Sequence, residues 1–271
     1  MHNQWVAWLD PVRILAVEAS AQILRIYATA FGVTTKDDDS PLTAADLAAH
    51  HVIVAGLQRL TPEIPVLSEE SAGVPFAERS KWRRYWLVDP LDGTKEFVQR
   101  NGQFTVNIAL IENHDPVLGV VRAPATGLCY SAVRGYGAFR EEPGQPSQPI
   151  AVQPLQSNAL VRVVGSRSHG GPGLQAFIAR LGAHELVMIG SSLKFCQVAE
   201  GAADVYPRLG PTSEWDTAAA QAIVEAAGGR VVSAETGEPL RYNTRESLLN
   251  PHFIVYGDVS RDWLSCVPRQ S

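Results

Sequence analysis

Apolar residues at Val12, Leu15, Ala19, Ile23 and Ile26 recur at helical spacing. They predict an amphipathic helix over Pro11 to Tyr27, with Gly32 just beyond its end. A polar stretch, Lys36-Asp37-Asp38-Asp39-Ser40-Pro41, separates it from a second helix. That helix opens on Thr43-Ala44-Ala45-Asp46, a capping box with Asp in the usual Glu or Gln position, and runs to about Leu60. Pro62 and Pro65 close it. The grammar then turns to strands: Val66-Leu67, Tyr85 to Val88, Phe104 to Ile111, Val117 to Arg122, Leu128 to Val133 and Ala138 to Arg140. Gly and Pro punctuate these runs at hairpin-like spacing, which predicts an antiparallel sheet.

Glu141 to Pro149 is the most linker-like segment, equally readable as a surface loop. Beyond it strands and helices alternate. Val161 to Val164, Glu185 to Ile189, Val205-Tyr206, Arg230 to Ser233 and Phe253 to Tyr256 are strands. Gly173 to Leu181, Ser191 to Gly201 and Asp216 to Ala227 are helices, the last ending at Gly228-Gly229. Such alternation predicts an α/β half. The expectation is two sheet-containing domains, an α+β domain over 1–150 and an α/β domain over 151–271, with a site between them.

Composition narrows the field. The 271 residues are 45% hydrophobic and 19% charged, ordinary for a globular protein. A net charge of −5 argues against a nucleic-acid polymer as partner. No run approaches the ~20 apolar residues that span a bilayer, and the N-terminus lacks the pattern of a signal peptide. Cys129, Cys196 and Cys266 are scattered and odd in number, so buried reduced thiols in a cytoplasmic protein are expected. Peripheral association with the inner membrane is left open, without an amphipathic or basic segment to support it.

The chemistry concentrates in Trp86-Leu87-Val88-Asp89-Pro90-Leu91-Asp92-Gly93-Thr94. An apolar strand delivers two carboxylates, three positions apart, into a turn ending in Gly-Thr. Anions this close call for a cation, and a hard divalent metal is the usual one. The backbone N–H groups after the turn, with the Thr94 hydroxyl, offer a phosphate seat at a helix start. Glu69/Glu70 and Asp216 also stand where elements end or begin, so these carboxylates can converge on one crevice. Taken singly, each has a plainer reading: Glu69-Glu70 a solvated turn, Asp216 a helix N-cap, Asp89 and Asp92 turn residues.

Three blocks in order change that balance: Ser68-Glu69-Glu70-Ser71, Asp89-Pro90-Leu91-Asp92-Gly93-Thr94 and Glu214-Trp215-Asp216-Thr217-Ala218-Ala219. They resemble the inositol monophosphatase superfamily of metal-dependent, lithium-sensitive phosphatases. Within it, Ser40 to Asp46, Gly93 to Phe97 with Arg100-Asn101-Gly102 and Phe104 to Ala109, Ser191 to Cys196, and Gly210 to Ser213 are most similar to the CysQ-type 3′(2′),5′-bisphosphate nucleotidases. The resemblance implies a layered α/β/α/β/α sandwich, with an antiparallel sheet in the N-terminal half and a mixed sheet in the C-terminal half. It implies hydrolysis of the 3′-phosphate of adenosine 3′,5′-bisphosphate to AMP by metal-activated water, in a setting of sulfur metabolism.

Two or three Mg²⁺ ions per site are implied, on Glu70, Asp89, the Leu91 carbonyl, Asp92 and Asp216, with Thr94, Asp38 and Glu70 as catalytic residues. Gly93 and Thr94 would take the scissile phosphate. His169, Ser191, Ser192, Lys194, Arg208 and Glu214 would line the nucleotide side. His169 is otherwise a loop histidine, Arg208 the end of an exposed strand and Lys194 a solvated helix residue. The alternatives are an inositol-1-monophosphatase or related sugar-phosphate phosphatase, and a non-catalytic metal- or nucleotide-binding protein on the same scaffold. Monomer and homodimer are both compatible.

Overall fold

The computed structural model describes residues 2–29, 41–156, 159–166 and 171–268. Two helices open the chain, α1 (His2–Tyr27) and α2 (Pro41–Leu60). Strand β1 (Val66–Ser68), a 3-10 turn (Glu69–Ser71) and the short α3 (Phe76–Arg79) follow. Next come β2 (Arg84–Asp92), the five-residue α4 (Thr94–Val98), β3 (Thr105–Glu112), β4 (Asp115–Arg122), β5 (Cys129–Val133), β6 (Gly137–Glu141) and β7 (Gln148–Ile150). The rest consists of β8 (Val161–Ser166), α5 (Pro172–Leu181), β9 (His184–Ile189), α6 (Leu193–Ala199), β10 (Val205–Arg208), α7 (Ala218–Ala226), β11 (Arg230–Ser233) and β12 (Phe253–Tyr256).

Strands β1 to β7 form one sheet in sequence order, and β11-β12-β10-β8-β9 form a second. Both bury their two faces at the central strands, whereas the edge strands β7 and β9 are largely exposed. Along β2, Trp86 and Val88 join the cluster under α1 and α2, while Tyr85 and Leu87 point to the opposite cluster. That opposite cluster holds Phe195 and Cys196 of α6, Ala219 and Ile223 of α7, and Val164, Tyr206 and Val255 of the second sheet. On the far face of the second sheet, Val163, Val205 and Ile254 pack with Phe177 and Ile178 of α5. The layers are therefore α1/α2, sheet, α6/α7, sheet, α5, the expected five-layer sandwich. Burial on both faces explains why the strands read as nearly continuous apolar runs instead of alternating with polar residues.

Three elements differ from the sequence expectation. Helix α1 begins at His2, nine residues before Pro11, so a proline sits inside it. Burial of Trp8 and Leu9 continues the apolar stripe upstream and offsets the hydrogen bond lost at Pro11. Helix α2 already includes Pro41, the first described residue of that stretch, which places Thr43 and Asp46 inside the helix instead of at its cap. The first sheet is antiparallel except at its edge, where β1 runs parallel to β2. The connection there is a crossover through the 3-10 turn and α3, which a hairpin-length loop does not allow. The linker-like Glu141 to Pro149 comprises the last residue of β6, the β6–β7 connection and the start of β7, and the boundary between sheets falls between Ile150 and Val161.

Candidate metal and phosphate site

The site starts from an irregularity in β2. Asp89 lies opposite Asn107 and Asp92 opposite Thr105, so three steps on β2 match two on β3. The extra residue makes a bulge around Pro90, which has no N–H to give the ladder. In a regular strand residues three apart face opposite sides; the bulge turns Asp89 and Asp92 to the same side. The Leu91 N–H donates to Asp89 Oδ1 at 3.0 Å, fixing that turn, while the Leu91 side chain anchors it in the core under α2.

Gly93 then takes a left-handed conformation (φ 90°). A β-carbon there would meet the Gln103 carbonyl at 3.1 Å and Ser191 Cβ at 3.2 Å, so glycine is required by conformation and by space. That close approach seats the second half of the chain on the turn. The Ser192 N–H donates to Asp92 Oδ2 at 2.5 Å, and the Ser192 hydroxyl bridges Thr105 and Asn107 at 2.8 Å each.

Asp216 arrives from the loop before α7. Its Oδ2 accepts from the Ser213 N–H at 3.0 Å, so the carboxylate turns back along its own loop, and Thr217 holds the cap position. Among the described residues, carboxylate oxygens of Asp89, Asp92 and Asp216 lie within 4.8 Å of one another. Desolvation makes all three resist ionisation, and neighbouring carboxylates add to it. Burial pushes Asp216 up to about 8, with Asp92 and Glu69 adding to it. Asp89 rises well above the carboxylate range through burial, then through the charges of Glu69, Asp92, Asp216 and Asp46. Asp92 is raised by burial, with Lys194 and the Ser192 N–H opposing the rise.

A cavity of about 260 Å³ opens beside the cluster. Asp92, Gly93, Thr94, Lys95 and Glu96 form one wall; Ser191, Ser192, Lys194, Arg208 and Asp216 are among the residues of the other. Lys194 is buried, and its ammonium donates to the Ser191 carbonyl and lies 5.5 Å from the centre of the Tyr206 ring. Burial brings it down to about 8 despite the attraction of Asp92. It is not a solvated helix residue. Arg208 is held by Thr212 Oγ1 at 2.6 Å and the Pro211 carbonyl at 2.7 Å, which aims its guanidinium along the cavity edge.

Of the site residues expected from sequence, Asp92, Gly93, Thr94, Ser191, Ser192, Lys194, Arg208 and Asp216 line this cavity, with Asp89 buried behind it. Asp38 and His169 lie outside the described residues. Two assignments move. Glu214 is absent from the cavity lining: its buried carboxylate turns the other way, accepting from the Asn243 N–H at 2.8 Å, with Arg79 and Arg245 attracting it. Of the Glu69-Glu70 pair, Glu69 is the one whose charge reaches Asp89 and Asp216, whereas that of Glu70 acts on His50. The sequence reading also passed over Asp46, which is buried on α2 and acts electrostatically on Asp89. Its three-residue spacing from Thr43 suits a cap so well that only the tertiary structure separates the two readings.

The chain matches a known family. Residues 3–259 fit the family described as the Inositol monophosphatase family. The chain is 53% identical over 249 residues to a protein named 3′(2′),5′-bisphosphate nucleotidase CysQ from Escherichia coli O157:H7, covering 91% of this chain and 98% of that one. A protein of the same name from Haemophilus influenzae is 37% identical over 258 residues, covering 95% of each. Among solved structures, CysQ from Bacteroides thetaiotaomicron superposes with a TM-score of 0.82 at 46% identity, covering 90% of this chain and 94% of that one. An inositol monophosphatase from Zymomonas mobilis gives 0.78 at 23% identity, covering 95% and 96%, and shares the fold.

Proposed function

The chain belongs to the inositol monophosphatase family, and from that premise we propose that it removes the 3′-phosphate of adenosine 3′,5′-bisphosphate to give AMP and phosphate. It is a phosphoric monoester hydrolase, a 3′(2′),5′-bisphosphate nucleotidase. The observation that carries the reading is the cluster of buried Asp89 with half-buried Asp92 and Asp216, opening on a cavity with Lys194 and Arg208. Three carboxylates brought together with their pKa values raised, chiefly by desolvation, are a donor set in want of a hard cation, and Mg²⁺ fits it. We assign Asp89, Asp92, Asp216, the Leu91 carbonyl and Glu69, in place of Glu70, to hold two or three such ions. When bound they neutralise charge at the phosphate and generate a nucleophile from water at neutral pH.

The chain's own groups do the rest. The N–H groups of Gly93 and Thr94 take the phosphate to be cleaved. Thr94 opens α4, and α2 packs against α4. We therefore assign Asp46 of α2, alongside the earlier candidate Asp38, as the acid that draws the Thr94 hydroxyl proton and sets the angle of the attacking water. The P–O3′ bond breaks as the water oxygen bonds to phosphorus; of that water's two protons one ends on the leaving ribose O3′ and the other on the released phosphate. Arg208, Ser191, Ser192 and the field of Lys194 favour a ligand with a second phosphate, with His169 assigned to the nucleoside side. Inhibition by millimolar Li⁺, a cytoplasmic setting in sulfur metabolism and a monomer or homodimer complete the reading. No helix among the described residues is long and apolar enough to cross a membrane.

Phosphate release from adenosine 3′,5′-bisphosphate and from inositol 1-phosphate, each with Mg²⁺ and with EDTA, tests it. A kcat/KM at least about 10-fold higher on the nucleotide is expected, with activity lost in EDTA. A preference for inositol 1-phosphate would replace the substrate assignment, and undiminished turnover in EDTA would remove the metal.

A further inference from the structure

Arg79 ends α3, on the connection that runs from Glu69 to β2, and its side chain is only 2% exposed. A buried guanidinium needs partners, and this one finds them more than 160 residues away along the chain. It donates to Asn243 Oδ1 and to the Glu246 carbonyl. Asn243 Nδ2 donates back to the Arg79 carbonyl at 2.6 Å, so the two residues hold each other from both ends. Asn243 also donates its own N–H to Glu214 Oε2 at 2.8 Å. Glu214 is tied to Leu248 through its N–H at 2.8 Å and accepts from Thr217 Oγ1 at 3.1 Å through its carbonyl. Asp216 lies between Glu214 and Thr217, its carboxylate held by Ser213 at 3.0 Å.

The chain of contacts thus runs unbroken from the segment after Glu69, through Arg79, Asn243 and Glu214, to the loop that carries Asp216. None of those three residues lines the cavity. Asn243 adopts a left-handed backbone (φ 54°) to aim its N–H and its side chain at two partners in different halves. Backbone strain of this kind persists where the surroundings over-determine it.

We propose that Arg79, Asn243 and Glu214 are positioning residues, a buried clamp that fixes Asp216 relative to the carboxylates of the first half. The role rests on the assignment of Asp216 as a metal-holding residue. It acts on the spacing of carboxylates that a divalent cation must match, so cutting the clamp loosens metal binding and leaves the nucleotide wall of the cavity alone. Groups that orient metal ligands are worth about 10- to 100-fold in affinity or activity when removed.

The test uses variants that keep the fold. Asn243→Gly accepts the left-handed backbone and retains the N–H to Glu214, but cuts the tie to Arg79. Glu214→Leu removes the acceptor, and Glu214→Gln restores one of the same shape. Mg²⁺ affinity is read by calorimetric titration without substrate, next to kcat and KM at saturating Mg²⁺. Asn243→Gly and Glu214→Leu are expected to bind Mg²⁺ about 10- to 100-fold more weakly, with KM for the nucleotide unchanged and Glu214→Gln close to wild type. Wild-type Mg²⁺ affinity in both Asn243→Gly and Glu214→Leu overturns the clamp, as does a Glu214→Gln as weak as Glu214→Leu. Wild-type protein that binds Mg²⁺ but releases no phosphate from adenosine 3′,5′-bisphosphate would sink the substrate reading and leave the clamp standing.

Discussion

Asp92 shows how one side chain serves two opposed demands. Its carboxylate accepts from the Ser192 N–H and so joins the halves of the chain, yet it also adds negative charge to a crowded cluster. Asp92→Asn keeps an acceptor for Ser192 and removes the charge. Turnover should fall about 100-fold or more, since one anionic ligand beside the developing charge is lost. Thermal stability without metal should be unchanged or higher, because Asp89 and Asp216 lose a repelling neighbour, and the stabilisation gained from Mg²⁺ should shrink. Activity assays paired with melting curves check both signs, and wild-type turnover would remove Asp92 from the site. The block from Asp89 to Thr94 was legible at this scale because its chemistry is local: two acids, a turn and a glycine. Glu69 against Glu70 was not, because neighbouring residues on a tight turn point differently and sequence does not say which faces the cluster. Glu214 is not legible for the same reason, its carboxylate accepting from the Asn243 N–H in a distant loop.

At the scale of elements, strands buried on both faces announce themselves as apolar runs, and every strand read that way is present in the structure. Helix ends were less legible, because α1 extends past Pro11 on the strength of Trp8 and Leu9, a tertiary gain that local propensity cannot register. The contact between β4 and α7 carries a sharper consequence. A β-carbon at Gly119 would lie 2.1 Å from the Ala219 carbonyl oxygen and 2.9 Å from Ala222 Cβ. The contact is with helix backbone, so relief requires the whole of α7 to shift, and α7 begins two residues after Asp216. Gly119→Ala should cost about 1–3 kcal/mol by overpacking and should raise the Mg²⁺ concentration needed for half-activation. Urea denaturation and a Mg²⁺ activation curve read the two effects. An unchanged urea midpoint would mean that the layers between the sheets yield more easily than the geometry allows.

For the whole molecule, the site concentrates desolvated carboxyl groups where both halves of the chain meet, and this sets how stability depends on pH. Asp216 ionises near 8 in the folded state against 3.8 for the free side chain, and Asp89 and Asp92 move the same way. Glu214, raised to about 7 by burial, adds to the trend. Between pH 4 and pH 8 the folded chain therefore holds protons that the unfolded chain has released. Stability then falls as pH rises, because the unfolded state binds fewer protons. Lys194, lowered to about 8, acts in the opposite sense only above that pH. Metal-free protein should accordingly melt at a higher temperature at pH 6 than at pH 8. Mg²⁺ inverts the trend, since it binds the ionised cluster and displaces those protons. At 100 times its dissociation constant it adds about 2.7 kcal/mol, and each proton it must displace weakens binding by about 1.4 kcal/mol per pH unit below the group's pKa. The gain in melting temperature from Mg²⁺ should therefore be large at pH 8 and small at pH 6. Melting curves in EDTA and in Mg²⁺ across that range decide it, and a metal-free protein that grows more stable from pH 6 to pH 8 would mean that the three aspartates are already ionised and neutralised by other groups.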